Sequence, residues 1–460
     1  MPTKKQSRRR WAIYCAPPSE TNRVAGGDST IESFFQNPFP LPPRFQSMGL
    51  SAGFKQYVAK EFPDAFVKAS DPAVADVTIV DAMVVLHSFK PDSNSPHPGG
   101  HQLADRFYFL LWKSSVGVLC FDDVHGTPRA KEQEWSERAK TTGACSPDML
   151  EQLLARHELP PAWDDFICDR TGRQRINTYL RDELFKRMRL SRGLVDMQRL
   201  LVFNAGDGAP AEGVWKREEQ HAPFLNEELI VRERADWTAA LVGEGEMCCI
   251  RAAMLLRDSL RPGARVVVST VDTDAVLIAM LNSFPGLFVE LSHFDKKAGA
   301  PSYALVDAHA LAAAVERRLR VTKHDFSVIA LSKGSDFVTQ SVAGIADWAK
   351  YVDACCSHIK LTTPVVTVSA SEARVDLVRA DAMLRSLGTL GKRVVPKYDS
   401  ANHLKRLAWN TLYFSYAAKG TASASLQQLE SYGWCVKGGM MGPDERVVGI
   451  RSAPAIAIAI

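Results

Sequence analysis

Short apolar runs alternate with longer amphipathic segments along most of this chain, from about residue 48 onward. Such apolar runs are typical of buried strands, whereas apolar positions spaced by three or four residues are typical of helices. The runs predict strands at residues 77–80, 118–121, 200–203, 265–270, 365–368 and 393–395. The amphipathic segments predict helices at residues 54–61, 128–140, 147–157, 174–190, 236–260, 308–319 and 404–418. Residues 325–331 fit either a helix or a short strand. Strands that alternate with helices predict an α/β fold, with a parallel central sheet flanked by helices.

The chain divides into three parts by composition and pattern. Residues 1–47 are rich in Pro, Ser, Arg and Gly without a clean periodicity, which predicts a flexible basic extension. Residues 48–350 form the predicted main domain, with an insertion around residues 145–235. Residues 351–460 are interpreted as a small C-terminal α/β extension that completes this domain.

The composition is that of an ordinary globular protein, with 46% hydrophobic and 23% charged residues. The formal net charge of +4 is too small to indicate a nucleic-acid partner by itself. None of the nine cysteines forms a C-x-x-C pair, which predicts reduced, mostly buried thiols in an intracellular protein, cytoplasmic or nuclear. We expect no membrane partner, because no apolar run approaches the ~20 residues needed to span a bilayer.

Acidic residues directly follow three of the predicted strands. Asp81 follows the strand at residues 77–80, and Asp122 is favoured over its neighbour because it comes directly after the end of the next strand. Asp272 and Asp274 follow a third strand. Because the carboxyl ends of parallel strands lie at one edge of a sheet, ligands bind there. We therefore expect these four side chains to converge.

Two further acidic groups lie elsewhere in the chain. Glu244 and Glu246 fall within the predicted helix at residues 236–260, and Asp336 falls in a later turn. Carboxylate oxygens are the ligands that Mg²⁺ prefers, and two such ions clamp the attacking and leaving oxygens of a phosphodiester displacement. Taken singly, each group also fits a structural role as a helix cap, a solvated helix face or a loop.

The order of these acidic groups resembles that of the 5′-nuclease superfamily, which contains the flap endonucleases and the Xrn-type 5′→3′ exoribonucleases. The Pro-Arg-Ala-Lys at residues 128–131 and the Gly-Glu-Gly-Glu at residues 243–246 match the Xrn branch at all four positions. Three further segments are similar to that branch, at residues 48–63, 80–87 and 404–420. The spacing from Glu246 to Asp272 is also closer to the Xrn spacing than to that of flap endonucleases.

This resemblance implies a PIN-like 5′-nuclease fold, with residues 48–350 as the catalytic domain. It implies a hydrolase that uses two Mg²⁺ or Mn²⁺ ions to cut phosphodiester bonds from a 5′ end. The substrate would be single-stranded RNA or DNA, with RNA preferred. The residues that match the family's seven metal-site acids are Asp81, Asp122, Glu244, Glu246, Asp272, Asp274 and Asp336. By the family pattern, Glu246, Asp272 and Asp274 contact the ions most directly, and the others act partly through water.

The resemblance also places basic and aromatic residues beside the substrate. Lys131 and Arg138 lie two turns apart on one predicted helix, so they share a face. There they would stabilise charge on the scissile and 5′-terminal phosphates, and Arg129 in the same segment would bind substrate. His87 stands where the family has a base-stacking residue, with Trp409 as a candidate stacking partner. The alternatives are a solvated helix face for the basic residues and core positions for the aromatic ones.

Departures from the family pattern leave two other functions open. The Ser-Asp at residues 335–336 is more similar to flap endonucleases, which favours a structure-specific DNA endonuclease. Against that function, Ala346 replaces the second glycine of the flap-endonuclease duplex-binding hairpin. The other alternative is a catalytically inactive nuclease-fold protein that binds nucleic acid or has a structural role. Retention of all seven acids favours an enzyme, since convergent carboxylates without a function would repel one another.

For two further segments, the sequence leaves open whether they bind a nucleic acid or a protein or have an ordinary structural role. Ile31, Phe34 and Phe35 resemble the end of a sliding-clamp binding peptide, or form a short apolar patch that docks on the domain. The basic stretch at residues 170–192 either tracks a phosphate backbone or is a solvated helix with paired charges. The chain is far shorter than cellular Xrn enzymes, which fits a compact, divergent and virus-encoded version of the family.

Overall fold

A seven-stranded sheet is the centre of the part of the chain that the computed structural model describes. The described residues are 52–68, 75–111, 114, 116–122, 147–160, 163–167, 170–190, 200–203, 244–258, 260–270, 272–294, 301–333, 347–361, 366–368, 372–375, 400–416, 429–437, 439–443 and 456–459. The strands of this sheet are β1 (Phe66–Lys68), β2 (Val77–Asp81), β3 (Val116–Cys120), β4 (Leu200–Phe203), β5 (Val266–Ser269), β6 (Leu287–Phe294) and β7 (Pro301–Asp307). Their order in the sheet is β1-β7-β6-β5-β2-β3-β4.

The sheet is parallel from β6 to β4 and antiparallel at its other edge. Strands β6, β5, β2, β3 and β4 pair in parallel, whereas β7 runs antiparallel to both β6 and β1. The predicted α/β class with parallel central strands is therefore confirmed, but an entirely parallel sheet is wrong. The physical reason is the connection between β6 and β7, since residues 295–300 are too few for the crossover that parallel neighbours need.

Helices cover both faces of this sheet. They are α1 (Ala52–Glu61), α2 (Ala82–Ser88), α3 (Gly99–Leu111), α4 (Pro147–Ala155), α5 (Trp163–Phe166), α6 (Arg170–Leu190), α7 (Gly245–Arg257), α8 (Asp274–Leu281), α9 (Ala308–Leu319), α10 (Lys323–Leu331), α11 (Trp348–Leu361) and α12 (Ser400–Tyr416). Successive strand residues point to opposite faces, so Ile79 joins one buried cluster and Val80 joins the other. The first cluster packs against α1 and α7 to α12, and the second packs against α2, α3, α5 and α6.

Most of the predicted elements that fall on described residues occur, with shifted ends. The strand at residues 200–203 and the helix at residues 308–319 have the predicted bounds, and residues 325–331 belong to helix α10. Helices α3, α8 and α11 and strands β1, β6 and β7 were not predicted from the pattern. The predicted helix at residues 128–140, the strand at residues 393–395, the extension at residues 1–47 and much of the insertion at residues 145–235 lie outside the described residues.

The C-terminal elements add to the first buried cluster and form two small sheets. Strands β8 (Val366–Val368), β9 (Glu372–Val375) and β12 (Ile456–Ala459) form an antiparallel sheet, and β10 (Trp434–Lys437) pairs with β11 (Met440–Pro443). The Asn282 side-chain amide at the end of α8 donates a hydrogen bond to the Phe414 carbonyl of α12 at 2.9 Å. Within the described ranges, no helix has the length and apolar character that crossing a membrane requires.

Candidate functional site

Asp81 is the last residue of β2 and lies between two parallel neighbours, β3 and β5. Its side chain is 4% exposed and caps helix α2, because its Oδ1 accepts a hydrogen bond from the Met83 amide at 3.0 Å. The other oxygen, Oδ2, accepts a hydrogen bond from the Thr270 hydroxyl at 3.1 Å. Thr270 comes directly after β5, so the ends of two neighbouring strands are joined by this carboxylate.

Asp122 follows the neighbouring strand β3 and is held from two sides. Its Oδ1 accepts a hydrogen bond from the Gly245 amide at 2.7 Å, and its Oδ2 pairs with the Arg173 guanidinium at 3.1 Å. Gly245 is the first residue of α7, where backbone N–H groups lack partners within the helix and favour a negative charge. The start of α7 therefore points at the carboxyl edge of the sheet.

Gly245 lies so close to both carboxylates that a side chain would not fit. A Cβ atom built there would be 2.6 Å from Asp81 Oδ1 and 3.1 Å from Asp122 Oδ1. Both oxygens are therefore within contact distance of one point beside the start of α7. The flanking residues Glu244 and Glu246 are 5% and 8% exposed, so two buried acids adjoin this glycine in the sequence and two more contact it in space.

The structure corrects the predicted position of Glu244. The residue was expected within a helix at residues 236–260, but its extended backbone (φ −74°, ψ 156°) makes it the cap that precedes α7. The Cys248 amide donates to the Glu244 carbonyl at 2.8 Å, as the first turn of the helix requires. Residues 244–246 thus form a helix start, and this is why the Gly245 amide is available to Asp122.

Asp272 and Asp274 extend the acidic cluster from the end of β5. The Asp272 amide donates to the Thr270 hydroxyl at 3.1 Å, and the Asp274 amide donates to Asp272 Oδ1 at 2.9 Å. Asp274 is the first residue of α8 and is 2% exposed, whereas Asp272 is partly exposed. Thr270 therefore links the loop that carries these two acids to the Asp81 carboxylate.

Burial, together with electrostatic repulsion from neighbouring carboxylates, perturbs Asp81 strongly. Burial and the neighbouring charge of Asp122 raise the pKa of Asp81 to about 8, and Asp272 adds to the effect. Hydrogen bonds from Thr270 and Met83 oppose the rise in pKa. A carboxylate that is costly to ionise beside other carboxylates is one that a cation would stabilise.

The donor set suits a hard divalent cation. Six of the seven predicted acids lie on described residues, and these six stand at one edge of the sheet or in the helix turns next to it. They offer carboxylate oxygens, which Mg²⁺ and Mn²⁺ prefer. The glycine between Asp81 and Asp122 leaves both carboxylates accessible to the same point, and Asp81, Asp122 and Asp272 interact electrostatically. These six acids are therefore the candidate ligands, although among the described residues only His101, His157 and Glu183 bring three potential ligand atoms within 4.8 Å of one another.

The seventh acid and three of the predicted substrate-binding residues lie outside the part of the chain that the structure describes. Asp336, Arg129, Lys131 and Arg138 lie outside the described residues, as does the candidate clamp peptide with Ile31, Phe34 and Phe35. His87 lies in the last turn of α2 and is partly exposed. Asp81 caps the other end of that helix, so the two residues are separated by roughly 9 Å along its axis.

Trp409 occupies the core position that the sequence left open, and the structure contradicts its candidate role as a stacking partner. Its side chain is 0% exposed, stacks on Tyr413 with ring centroids 4.9 Å apart, and meets Trp434 edge-on at 5.0 Å. A ring enclosed on these sides has no face to offer a nucleic-acid base. The helical spacing that suggested the family segment is the spacing that buries Trp409 in the core.

Two residues of the site, Thr270 and Lys55, were not predicted from the sequence, and Arg173 was predicted only as part of the basic stretch at residues 170–192. Thr270 bridges Asp81 and Asp272, and Arg173 pairs with Asp122. Lys55 on α1 lies close enough to Asp272 for the charges to interact, and burial lowers the pKa of its ammonium group against that attraction. A threonine after a strand and a lysine in an amphipathic helix give no distinctive pattern, so no sequence signal identified them.

The basic stretch in α6 is mostly neutralised within the described residues. Arg175 pairs with Glu151 at 2.8 Å, and Lys186 and Arg187 both bind Glu183, at 2.7 and 2.8 Å. Paired charges contribute less to an electrostatic path for a phosphate backbone. These contacts favour the solvated-helix interpretation, while Arg173 alone reaches the acidic cluster among the contacts described.

Comparison with known proteins adds nothing to the geometry of the acidic cluster. No protein-family model matches the chain, and no curated protein matches it at a significant level. What remains is a physical arrangement in which the ends of β2, β3 and β5 and the first turns of α7 and α8 present acidic residues at one edge.

Proposed function

We propose that this chain is a Mg²⁺- or Mn²⁺-dependent nuclease with a PIN-like 5′-nuclease fold. In this proposal it acts as a 5′→3′ exonuclease that prefers single-stranded RNA. One observation carries the proposal. Asp81 and Asp122, at the carboxyl ends of adjacent parallel strands, meet at Gly245, whose neighbours Glu244 and Glu246 are also acidic and buried.

An ordinary structural role explains this convergence poorly. Buried carboxylates in contact raise the free energy of the folded state unless a cation or a proton compensates. Thr270, Met83 and Gly245 orient the Asp81 and Asp122 oxygens with hydrogen bonds from uncharged donors, and Arg173 is the charged partner of Asp122. Such orientation by uncharged donors is the pattern expected around ligands of a metal ion.

Each group in the chain would have a distinct part in hydrolysis. Asp81, Asp122, Glu244, Glu246, Asp272 and Asp274 would hold the two ions, which supply a nucleophilic water and neutralise the phosphate. Thr270 fixes the relative positions of Asp81 and Asp272. Lys55, whose charge interacts with Asp272, is placed to attract a phosphate into the site. Lys131, Arg138 and Arg129 would bind the phosphates near the 5′ end, as the family resemblance implies.

A second function is favoured by one specific contact. Arg173 pairs with Asp122 at 3.1 Å, and both side chains are largely shielded, at 12% and 22% exposure. A guanidinium in this position occupies an oxygen that a metal would use. A catalytically inactive protein that binds nucleic acid on a nuclease-type fold would keep such an ion pair permanently.

The deciding experiment compares three substrates with the full chain and either Mg²⁺ or Mn²⁺. The substrates are 5′-monophosphorylated single-stranded RNA, single-stranded DNA of the same sequence, and a duplex with a 5′ flap. Stepwise loss of the RNA from its 5′ end is the expected result. Cleavage of the flap substrate alone would replace the proposal with a flap-type DNA endonuclease.

Two variants show whether the acidic cluster is responsible. Asp272→Ala/Asp274→Ala is expected to abolish cleavage, because it removes two carboxylates from the site. Asp258→Asn is the matched control, since that side chain is 74% exposed and pairs with Arg257 at the far end of α7. If the parent chain binds RNA but cuts no substrate with either metal, the inactive alternative holds.

A further inference from the structure

Two histidines and a glutamate lie close together in the layer of helices that forms the second buried cluster. His101 lies in the first turn of α3, His157 lies in the turn after α4, and Glu183 lies on α6. One potential ligand atom from each residue lies within 4.8 Å of the other two. Their imidazole rings are 4.0 Å apart between centroids.

This cluster is separate from the acidic cluster. Arg173 on α6 pairs with Asp122, and Glu183 follows ten residues later on the same helix. Ten residues of α-helix span roughly 15 Å. The two sites therefore share a helix but not a ligand.

We propose that His101, His157 and Glu183 bind a transition-metal ion of the Zn²⁺ class. Two imidazoles and one carboxylate form a ligand set that suits Zn²⁺, Co²⁺ or Ni²⁺ better than Mg²⁺. Three protein ligands leave the remaining coordination position to water. This proposal does not depend on the nuclease proposal.

The distances are close to those of a coordination sphere. Ligand atoms bound to tetrahedral Zn²⁺ at ~2.0–2.1 Å lie roughly 3.4 Å apart. The His101 Nε2 to Glu183 Oε2 distance is 3.8 Å, and the His157 Nδ1 to Glu183 Oε1 distance is 4.0 Å. These two separations involve different oxygens of Glu183, so the side chains must rotate to bring the three ligand atoms, which lie within 4.8 Å of one another, onto one ion.

The surrounding residues hold the three ligands in place. Arg187 binds Glu183 Oε2 at 2.8 Å, Asp105 at 2.6 Å and the His101 carbonyl at 3.3 Å, which joins α6 to α3. The Tyr179 hydroxyl lies 3.0 Å from His157 Nδ1. Arg187 fixes the orientation of Glu183 in this way, whereas the Tyr179 hydroxyl would have to release His157 Nδ1 when this atom binds the ion.

The backbone also brings the two histidines together. The Gly100 amide donates to the His157 carbonyl at 2.7 Å, and a Cβ at Gly100 would lie 2.5 Å from the Tyr179 hydroxyl. Only glycine therefore allows α3 to approach the turn at His157. That turn has a positive φ of 58°, a conformation in which histidine, asparagine and aspartate are the side chains most often found.

The salt bridges from Lys186 and Arg187 to Glu183 are the main competing explanation. In that explanation Glu183 only forms ion pairs with Lys186 and Arg187, and the two histidines lie nearby without binding a metal. Carboxylates have about four acceptor positions, so these two donors still leave room for an ion. The two explanations differ in whether removing the imidazoles changes metal binding.

The test is titration of the chelator-treated full chain with Co²⁺, followed by displacement with Zn²⁺. Bound Co²⁺ has visible d–d absorption, so binding is observed directly without any measurement of nuclease activity. We expect one equivalent of Co²⁺ to develop this absorption and Zn²⁺ to remove it. Zn²⁺ is also expected to raise the thermal unfolding temperature, because it binds the folded state.

The variant is His101→Gln/His157→Asn, since asparagine tolerates the positive φ at residue 157. We expect at least tenfold weaker Co²⁺ binding and no Zn²⁺-dependent thermal shift, with the far-ultraviolet circular dichroism spectrum unchanged. Asp272→Ala/Asp274→Ala and His309→Gln, an exposed histidine on α9, should retain the absorption. Absence of the absorption in the parent, or an unchanged spectrum and affinity in the double variant, overturns the proposal.

Discussion

At the scale of single residues, Gly245 sets the geometry of the acidic cluster. Its amide holds Asp122, and its lack of a side chain allows Asp81 and Asp122 to approach the start of α7. A glycine is needed at position 245 because the two carboxylates lie too close for a side chain, and not because the backbone adopts an unusual angle. The same Gly-Glu-Gly-Glu segment supplies two further acids from the positions on either side.

Gly245→Ala tests this close approach. The new Cβ would lie 2.6 Å from Asp81 Oδ1, so the carboxylate or the start of α7 must shift. We expect Mg²⁺-dependent cleavage to fall by roughly tenfold to a hundredfold, because displacements near 1 Å in a reacting site have effects of that size. Initial cleavage rates across a Mg²⁺ titration measure the change.

Gly99→Ala is the matched glycine control for that experiment. Its Cβ would contact only the apolar side chains of Pro91 and Leu159, at 3.3 and 3.4 Å. An equal loss of activity in both variants would show that the effect of Gly245→Ala is general destabilisation.

Variants of Trp409 distinguish a role in packing the core from a role in binding the substrate. Trp409→Ala should lower the free energy of unfolding by about 3–5 kcal/mol, the usual cost of truncating a large buried aromatic residue. Urea denaturation measures this quantity. The milder Trp409→Phe should fold and bind single-stranded RNA with unchanged affinity, and a clear loss of binding in that folded variant would restore the stacking role.

At the scale of elements, α6 connects two groups of charged side chains. Near its start Arg173 pairs with Asp122, and towards its end Arg187 and Lys186 pair with Glu183. The helix packs on the second buried cluster through Ile176, Leu180 and Leu184. Its apolar face therefore fixes where Arg173 meets the carboxyl edge of the sheet.

Arg173→Met tests the ion pair at the acidic cluster while keeping the length of the side chain. Removing the guanidinium leaves Asp122 without its cation beside Asp81. We expect the thermal unfolding temperature to fall more in chelator than in Mg²⁺, because the ion replaces the lost charge. Thermal denaturation in both conditions gives the two shifts.

The control for that variant is Arg175→Met on the same helix. Arg175 pairs with Glu151, whose side chain is 69% exposed, and such surface pairs contribute about 0–1 kcal/mol. Its shift should be small and independent of Mg²⁺. A Mg²⁺-independent shift of equal size in Arg173→Met would show that Arg173 acts only as a structural partner, as the inactive alternative requires.

At the scale of the whole molecule, the sheet order brings distant segments together. Strand β2 lies between β3 and β5, so Asp81 meets Asp122 on one side and Thr270 with Asp272 on the other. Helix α7, whose apolar residues belong to the first buried cluster, brings its first turn to the same edge of the sheet. Folding therefore concentrates negative charge at a single edge, and the stability of the molecule should depend on pH and on cations.

The raised pKa of Asp81 fixes the sign of that dependence. The folded state binds this proton more tightly than the unfolded state, since the pKa rises from 3.8 to about 8. The Asp81 contribution to the free energy of unfolding should therefore be fully present below pH 4 and decline as pH rises to 8. Denaturation of chelator-treated protein across this range measures the decline.

Mg²⁺ should offset the decline at pH 8, by about 2.7 kcal/mol at a concentration a hundredfold above its Kd. Asp81→Asn removes the titrating group, so both the pH dependence and the Mg²⁺ effect should diminish. An unchanged pH profile in Asp81→Asn would assign the dependence to other residues.

The sequence by itself determined the parallel α/β strands and the positions of the acids after them. Apolar runs at β2, β3 and β5 were strong local signals, and acids at their ends follow a general property of parallel sheets. The local pattern could not determine that Glu244 precedes α7 rather than lying inside it. It also could not show that β7 is antiparallel, because helix ends and strand direction depend on packing and loop length.

Only the tertiary structure decided which side chains meet. Trp409 and His87 both lie in segments that resemble the family, yet the core encloses Trp409 and leaves His87 partly exposed. Thr270, Arg173 and Lys55 carry no motif, and they reach the acids only because the sheet order and the helix packing bring them there. Contacts across nearly two hundred residues, such as that between Asp81 and Thr270, have no local sequence signal. Their geometry arises when separate strands pair and bury their apolar faces.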